Sequence, residues 1–288
     1  MAPPPPTQGA TLQQRLLALA QTLQFAWFAG HVTLLLCTLR YALSYITFHS
    51  ASKWAKFSYR TAFVAATVTY GIVVYKSFRA RARAGKSQGS PLAIVSDENV
   101  QYLAMALVWL FSHPVPVAVF PFAVYSLFHV ATYTRSNLLP AISPAPAAGP
   151  TAASPGGAAA KPKSNSGLAE TIGRFVKDYY DSSMTIVAAL EIFLWVRVLV
   201  PAFLFQKGTW ILLLLYTAFL CARYAQSTFV QGAFASAGAR IDGFANRRDS
   251  PAVIRQAWET VKGLLRQGLQ ATDLNRYTGA QAPVKKAQ

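Results

Sequence analysis

Apolar stretches of bilayer length dominate this chain, and most end against basic residues. The clearest run from Phe25 to Ile46, Thr61 to Tyr75, Tyr102 to Tyr133, Met184 to Phe205 and Thr209 to Ala222. A helix crossing about 30 Å of hydrocarbon needs about 20 mostly apolar residues, and several of these stretches reach or approach that length. Lipid offers the backbone no hydrogen-bond partners, so each stretch is predicted to be helical. The pattern defines an all-α polytopic membrane protein built from helical hairpins, with cytosolic amphipathic helices beside them.

Shorter polar patterns divide the chain into five segments. Residues 1–24 are a Pro-rich N-terminus and an amphipathic helix, with Leu12, Leu16, Leu19 and Leu23 on one face. That helix either extends the first span or lies separately at the interface. Residues 25–136 hold the first membrane helices. Their third stretch is broken by His113-Pro114-Val115-Pro116, because proline removes a donor and pushes its predecessor out of helical geometry. It reads as a hairpin, two shallow spans or one kinked helix. Residues 137–167 are rich in Ala, Pro, Gly and Ser and read as a disordered linker. Residues 168–230 comprise an amphipathic lead-in and an antiparallel hairpin, turned at Gln206, Lys207 and Gly208. Residues 231–288 form a basic cytosolic tail. Within it Ile254, Trp258, Val261, Leu265 and Leu269 recur at helical spacing, and Arg255, Lys262 and Arg266 flank them. This segment is predicted either to bind the membrane surface or to pack on the protein's own cytosolic helices.

Composition narrows the class. Hydrophobic residues make up 53% of the chain and charged residues 13%, against roughly 25% charged in a soluble domain. The net charge is +17, but the cations cluster just beyond apolar stretches, as with Lys76, Arg79, Arg81, Arg83 and Lys86. That placement fits cytosolic flanks and anionic lipid head groups, and no direct nucleic-acid partner is expected. The basic tail marks the outer ends of the final hairpin, and with them the linker, as cytosolic; if the broken region is a hairpin, the N-terminus is expected in the cytosol too.

Candidate chemistry is sparse. There are ten acidic residues and four histidines. No recognised metal or nucleotide motif occurs, so no enzyme activity, cofactor or metal is expected. Gly85-Lys86-Ser87-Gln88-Gly89 matches a nucleophile elbow in letters, yet has neither the strand before it nor the helix after it. His113 and His129 could meet across a hairpin. Arg40, Glu191, Arg197 and Arg223 fall inside or close to apolar stretches, where charges are costly unless paired or functional. Glu191 and Arg223 are equally distant from Lys207 along the chain, so an antiparallel hairpin sets them at one depth. They are predicted to pair, the alternative being that Arg223 snorkels to the interface.

The segments FPFAVYSLFHVATYTR from Phe120 to Arg135, the NLLP after it, and LEIFLWVRVLV from Leu190 to Val200 resemble the transmembrane protein 33 family, over about Leu16 to Gln231. The resemblance implies a non-enzymatic protein of the endoplasmic reticulum and nuclear envelope. It implies roles in shaping curved membrane and in nuclear pore distribution or assembly. Implied partners are reticulon-type proteins, nucleoporins and transport receptors. Lys285 and Lys286, fourth and third from the end, independently match a dilysine retrieval signal of the endoplasmic reticulum. The alternative from another class is a small transporter or lipid-handling channel.

Overall fold

The computed structural model describes residues 11–85, 94–142, 166–247 and 250–271. All regular structure among them is helical. Helix α1 (Leu12–Ala20) opens on a capping box, in which Thr11 Oγ1 accepts from the Gln14 amide and Gln14 Oε1 accepts from the Thr11 amide. Helix α2 (Leu23–Ile46) has its own cap, Thr22, whose hydroxyl accepts from the Phe25 amide at 3.1 Å. Two caps make two helices, so α1 is separate from the first span.

Helix α3 (Lys53–Arg83) begins earlier than its apolar core. The polar residues ahead of the apolar stretch from Thr61 are already helical from Lys53. Ser52 starts it, its hydroxyl accepting from the Ala55 amide at 3.1 Å. Helix α4 (Glu98–Phe111) starts on Asp97, which accepts from the Asn99 amide at 2.9 Å. The prolines then break the chain: residues 112–115 are non-helical, a single 3-10 turn spans Pro116–Ala118, and α5 (Val119–Tyr133) follows. The region is therefore two helices and not one kinked rod. A π turn at Thr134–Leu138 leads into α6 (Leu139–Ile142). Pro140 has no amide proton and its ring crowds the carbonyl four residues back, and the wider turn absorbs both effects. The helix thus continues past residue 136, where the linker was expected to begin.

Helix α7 (Ser166–Phe203) merges the amphipathic lead-in with the fourth apolar stretch. Helix α8 (Thr209–Gln226) follows a turn with Gly208 at φ +78°. Helix α9 (Thr228–Ala245) is capped by Ser227, and α10 (Ala252–Ala271) ends the described chain. The boundary expected at residue 230 falls inside α9, whose Gly- and Ala-rich sequence carries little apolar periodicity. Ser250 Oγ donates to the Phe244 carbonyl at 2.8 Å, back toward α9.

Among the described residues, four helical stretches are long and apolar enough to cross a membrane: Leu23–Ile46, Lys53–Arg83, Pro116–Ile142 and Gly167–Phe203. Their outward faces carry apolar side chains, for example Leu36, Leu39 and Ile46 on α2. Neither α4 nor α8 is among the four.

The chain divides into two compact units. The first takes α1, α2, α3 through Ile72, α5 from Phe122, α6 and α7 through Asp181. In it α2 and α3 approach closely at Gly30, where an added Cβ would lie 2.5 Å from Thr69 Cγ2. Tyr59, Phe63 and Phe122 form an edge-to-face series. The second takes the rest of α3, α4, the last of α7, and α8 to α10. Here Ala188, Leu220 and Val230 form a buried cluster against Trp195 and Phe234, and Trp195 Nε1 donates to Thr217 Oγ1 at 2.9 Å.

Candidate functional site

The second unit holds the most concentrated buried polar chemistry described. Glu191 of α7 and Arg223 of α8 are almost fully buried, with side chains 1% and 5% exposed. Arg223 Nε lies 3.3 Å from Glu191 Oε1 and 3.4 Å from Oε2. A third helix joins them. Arg223 Nη1 also donates to Glu98 Oε1 at the start of α4, and Tyr102, one turn on, donates its hydroxyl to Glu191 Oε1. The Tyr102 ring sits under the Arg223 guanidinium at 5.2 Å, and Tyr216 donates to the Glu191 backbone carbonyl at 3.1 Å.

The physical logic is that of a shared counter-ion. A charge alone in a bilayer costs about 2.5–3.5 kcal/mol on insertion scales. One guanidinium can satisfy two carboxylates because its donors form a planar fork. Glu98 is half-exposed, so solvent supports the second negative charge. The cluster binds α4, α7 and α8 together, and Gln226 Nε2 to the Ser96 carbonyl at 2.9 Å adds a further tie at the same end. Glu98 and Tyr102 escape sequence reasoning. Neither their order nor their periodicity says which helix α4 will face.

In the first unit His129 meets His31, not His113. The His31 and His129 rings are 4.7 Å apart, with Trp27 against both. Ser126 lies 2.8 Å from His31 Nδ1. His113 is exposed in the proline break. The apolar pattern hid His31, which sits on the inner face of α2. Arg40 donates to Ser58 Oγ at 3.1 Å and stacks over Trp54, while Arg197 is exposed. No group of three or more metal-ligating side chains occurs among the described residues.

The C-terminal amphipathic segment is the helix α10. Ile254 and Val261 are exposed at 40% and 43%, and Arg255 is exposed beside them. Trp258 and Lys262 behave differently, because both reach Asp242 of α9. Trp258 Nε1 and Lys262 Nζ each donate to Asp242 Oδ1 at 2.8 Å. Lys262 also pairs with Glu259 at 2.7 Å. These two carboxylates, Asp242 first, hold the lysine above its usual pKa. The side chains of Leu265, Arg266 and Leu269 lie outside the described residues, as do Lys285, Lys286, the loop residues 86–89 and the linker residues 143–165.

These features define a class, a multi-pass, all-α membrane protein with charges paired inside one helical unit. The chain matches the family described as Transmembrane protein 33/Nucleoporin POM33 over residues 4–269. It belongs to that family. It is 50% identical to Nucleoporin POM33 of Chaetomium thermophilum, with 100% of both chains covered. It is 33% identical to Tetra-spanning protein 1 of Schizosaccharomyces pombe, over 87% of this chain and 86% of that protein. It is 28% identical to the Pore membrane protein of 33 kDa of Saccharomyces cerevisiae, over 89% and 87%. No solved structure matches it.

Proposed function

We propose that this chain is a non-enzymatic protein of the endoplasmic reticulum and nuclear envelope. In this reading it stabilises curved membrane and supports nuclear pore distribution or assembly, with both termini in the cytosol. Reticulon-type proteins, nucleoporins and transport receptors are its expected partners. The pore reading is supported by the printed names of two relatives, a nucleoporin and a pore membrane protein. The observation that carries the membrane-shaping part is α10, with Ile254 and Val261 exposed next to Arg255. An apolar stripe beside cations seats a helix in the head-group plane of an anionic bilayer. Such a helix takes up area in one leaflet only, which favours curvature. A transporter or lipid-handling channel would need buried charges free for a substrate, whereas Glu191 and Arg223 engage each other.

The test is a peptide covering residues 250–269. It should turn helical on vesicles containing anionic lipid, and bind small vesicles better than large ones. Trp258→Glu with Leu265→Glu should abolish the binding. Undiminished binding of that double variant, or indifference to vesicle size, would remove the support for curvature.

A further inference from the structure

Two of the four candidate spans end in the same unusual way. Helix α2 stops at Ile46, with Thr47 as its C-cap. The next residue, Phe48, has φ +59°. The Phe48 amide donates to the Tyr45 carbonyl at 3.1 Å, and the His49 amide to the Ser44 carbonyl at 2.7 Å. This pair of bonds is a Schellman motif. Helix α7 stops at Phe203, and Phe205 has φ +53°. The Phe205 amide donates to the Ala202 carbonyl at 3.0 Å, and the Gln206 amide to the Pro201 carbonyl at 3.1 Å. The second turn is the same motif with the same residue at the same position.

That position normally takes glycine, because a Cβ in the left-handed region crowds the following carbonyl oxygen. Among the described residues, Phe48 and Phe205 are the non-glycine residues with positive φ. Neither ring is buried: Phe48 is 95% exposed and Phe205 81%, its ring contact being the exposed Trp210 at 6.2 Å. A bulky aromatic held in a strained conformation and turned outward needs something apolar to meet.

The surroundings say what that is. Each phenylalanine lies two residues beyond the end of a candidate span. A tryptophan with an exposed indole follows each turn, Trp54 in α3 and Trp210 in α8, and a lysine stands by each, Lys53 at the first residue of α3 and Lys207 between α7 and α8. Apolar rings, indoles and a lysine at the end of a span match the bilayer interface, where amphipathic side chains settle at head-group depth. Helix α3 carries cations at both ends, Lys56 and Arg60 on the side of its turn and Arg79, Arg81 and Arg83 on the other, while Arg223 of α8 lies far from the turn before it.

We propose that the two Schellman turns are interfacial anchors, which insert Phe48 and Phe205 at the boundary of head groups and acyl chains and fix the depth of the spans they terminate. The partner is the lipid interface itself. The anchors do not depend on α10, so they and the curvature reading stand or fall separately.

The test uses the full chain in vesicles, with Cys37 and Cys221 replaced by alanine. A spin label is attached to a cysteine at Phe48 or at Phe205. Collision with oxygen should exceed collision with a water-soluble nickel chelate at both positions. A chelate-dominated signal at either would overturn the proposal for that turn. A second arm places the label at Thr47 or Leu204, with the neighbouring phenylalanine kept or changed to glycine. Glycine suits the turn, so folding in detergent should be retained. The label should nonetheless move toward water in vesicles. An unmoved label would mean that the ring does not set the depth, and would overturn the anchor.

Discussion

Replacing Arg223 with methionine should destabilise the second unit more than any other single change in its charge cluster. The variant removes the cation shared by Glu191 and Glu98 while keeping a similar apolar length. Glu191, 1% exposed, would be left with Tyr102 and no counter-ion from Arg223. Removing one partner of a buried ion pair costs about 3–5 kcal/mol, because the other charge stays uncompensated. Glu191→Gln should cost less, about 1–3 kcal/mol, since Arg223 retains Glu98 and the Tyr102 ring. Glu98→Gln should cost about 1 kcal/mol or less, because Glu98 is half-exposed and its pair is partly screened. The order Arg223→Met, Glu191→Gln, Glu98→Gln is the test, read from reversible unfolding in mixed micelles as the dodecyl sulfate fraction rises. The swap of Glu191→Arg with Arg223→Glu sharpens it. In an isolated pair the swap would restore stability, but here it turns a new carboxylate toward Glu98. Recovery should be partial, and should improve when Glu98→Gln is added. If Arg223→Met costs no more than Glu98→Gln, the cluster does not hold the three helices together.

Much of the architecture was legible because bilayer length is a coarse requirement that composition states openly. The stretch from Phe25 ends with its helix at Ile46, and the stretch from Met184 overruns the end of α7 at Phe203 only as far as Phe205. Boundaries set by single caps or by polar helical residues were harder to read. The polar TRSN sequence hides the π turn that carries α5 into α6, and the small residues of α9 conceal a helix that supplies Asp242. Distance along the chain from Lys207 sets Glu191 and Arg223 at one depth. It cannot point to Glu98, which arrives from a helix distant in sequence. His31 illustrates the same limit. A histidine on an apolar helix face shows which side it occupies, but not that His129 will be opposite. Side-chain partners across three or more helices follow from packing, which one-dimensional periodicity does not encode.

Two further perturbations follow from close contacts. The docking of α10 on α9 through Lys262 should persist across the physiological range. Because the folded pKa is raised, its contribution is complete below the ordinary lysine value and is lost as pH rises through the folded one; hydrogen exchange in α10 between neutral pH and pH above that range would reveal it, and pH-independent docking would contradict it. The last prediction concerns the approach of α2 to α3. A Cβ at position 30 would lie 2.5 Å from Thr69 Cγ2, so Gly30→Ala forces the helices apart or bends a rotamer, at about 1–3 kcal/mol for overpacking. Alanine is the better helix former by about 1 kcal/mol, so any loss observed must come from the contact and not from propensity. Thr69 donates its hydroxyl to the Ala66 carbonyl at 2.9 Å. Thr69→Ser keeps that bond while deleting the clashing methyl. Gly30→Ala should therefore lower the unfolding midpoint in detergent, and adding Thr69→Ser should restore most of it. If the serine change gives no recovery, the close approach at Gly30 is not what limits the size of the residue there.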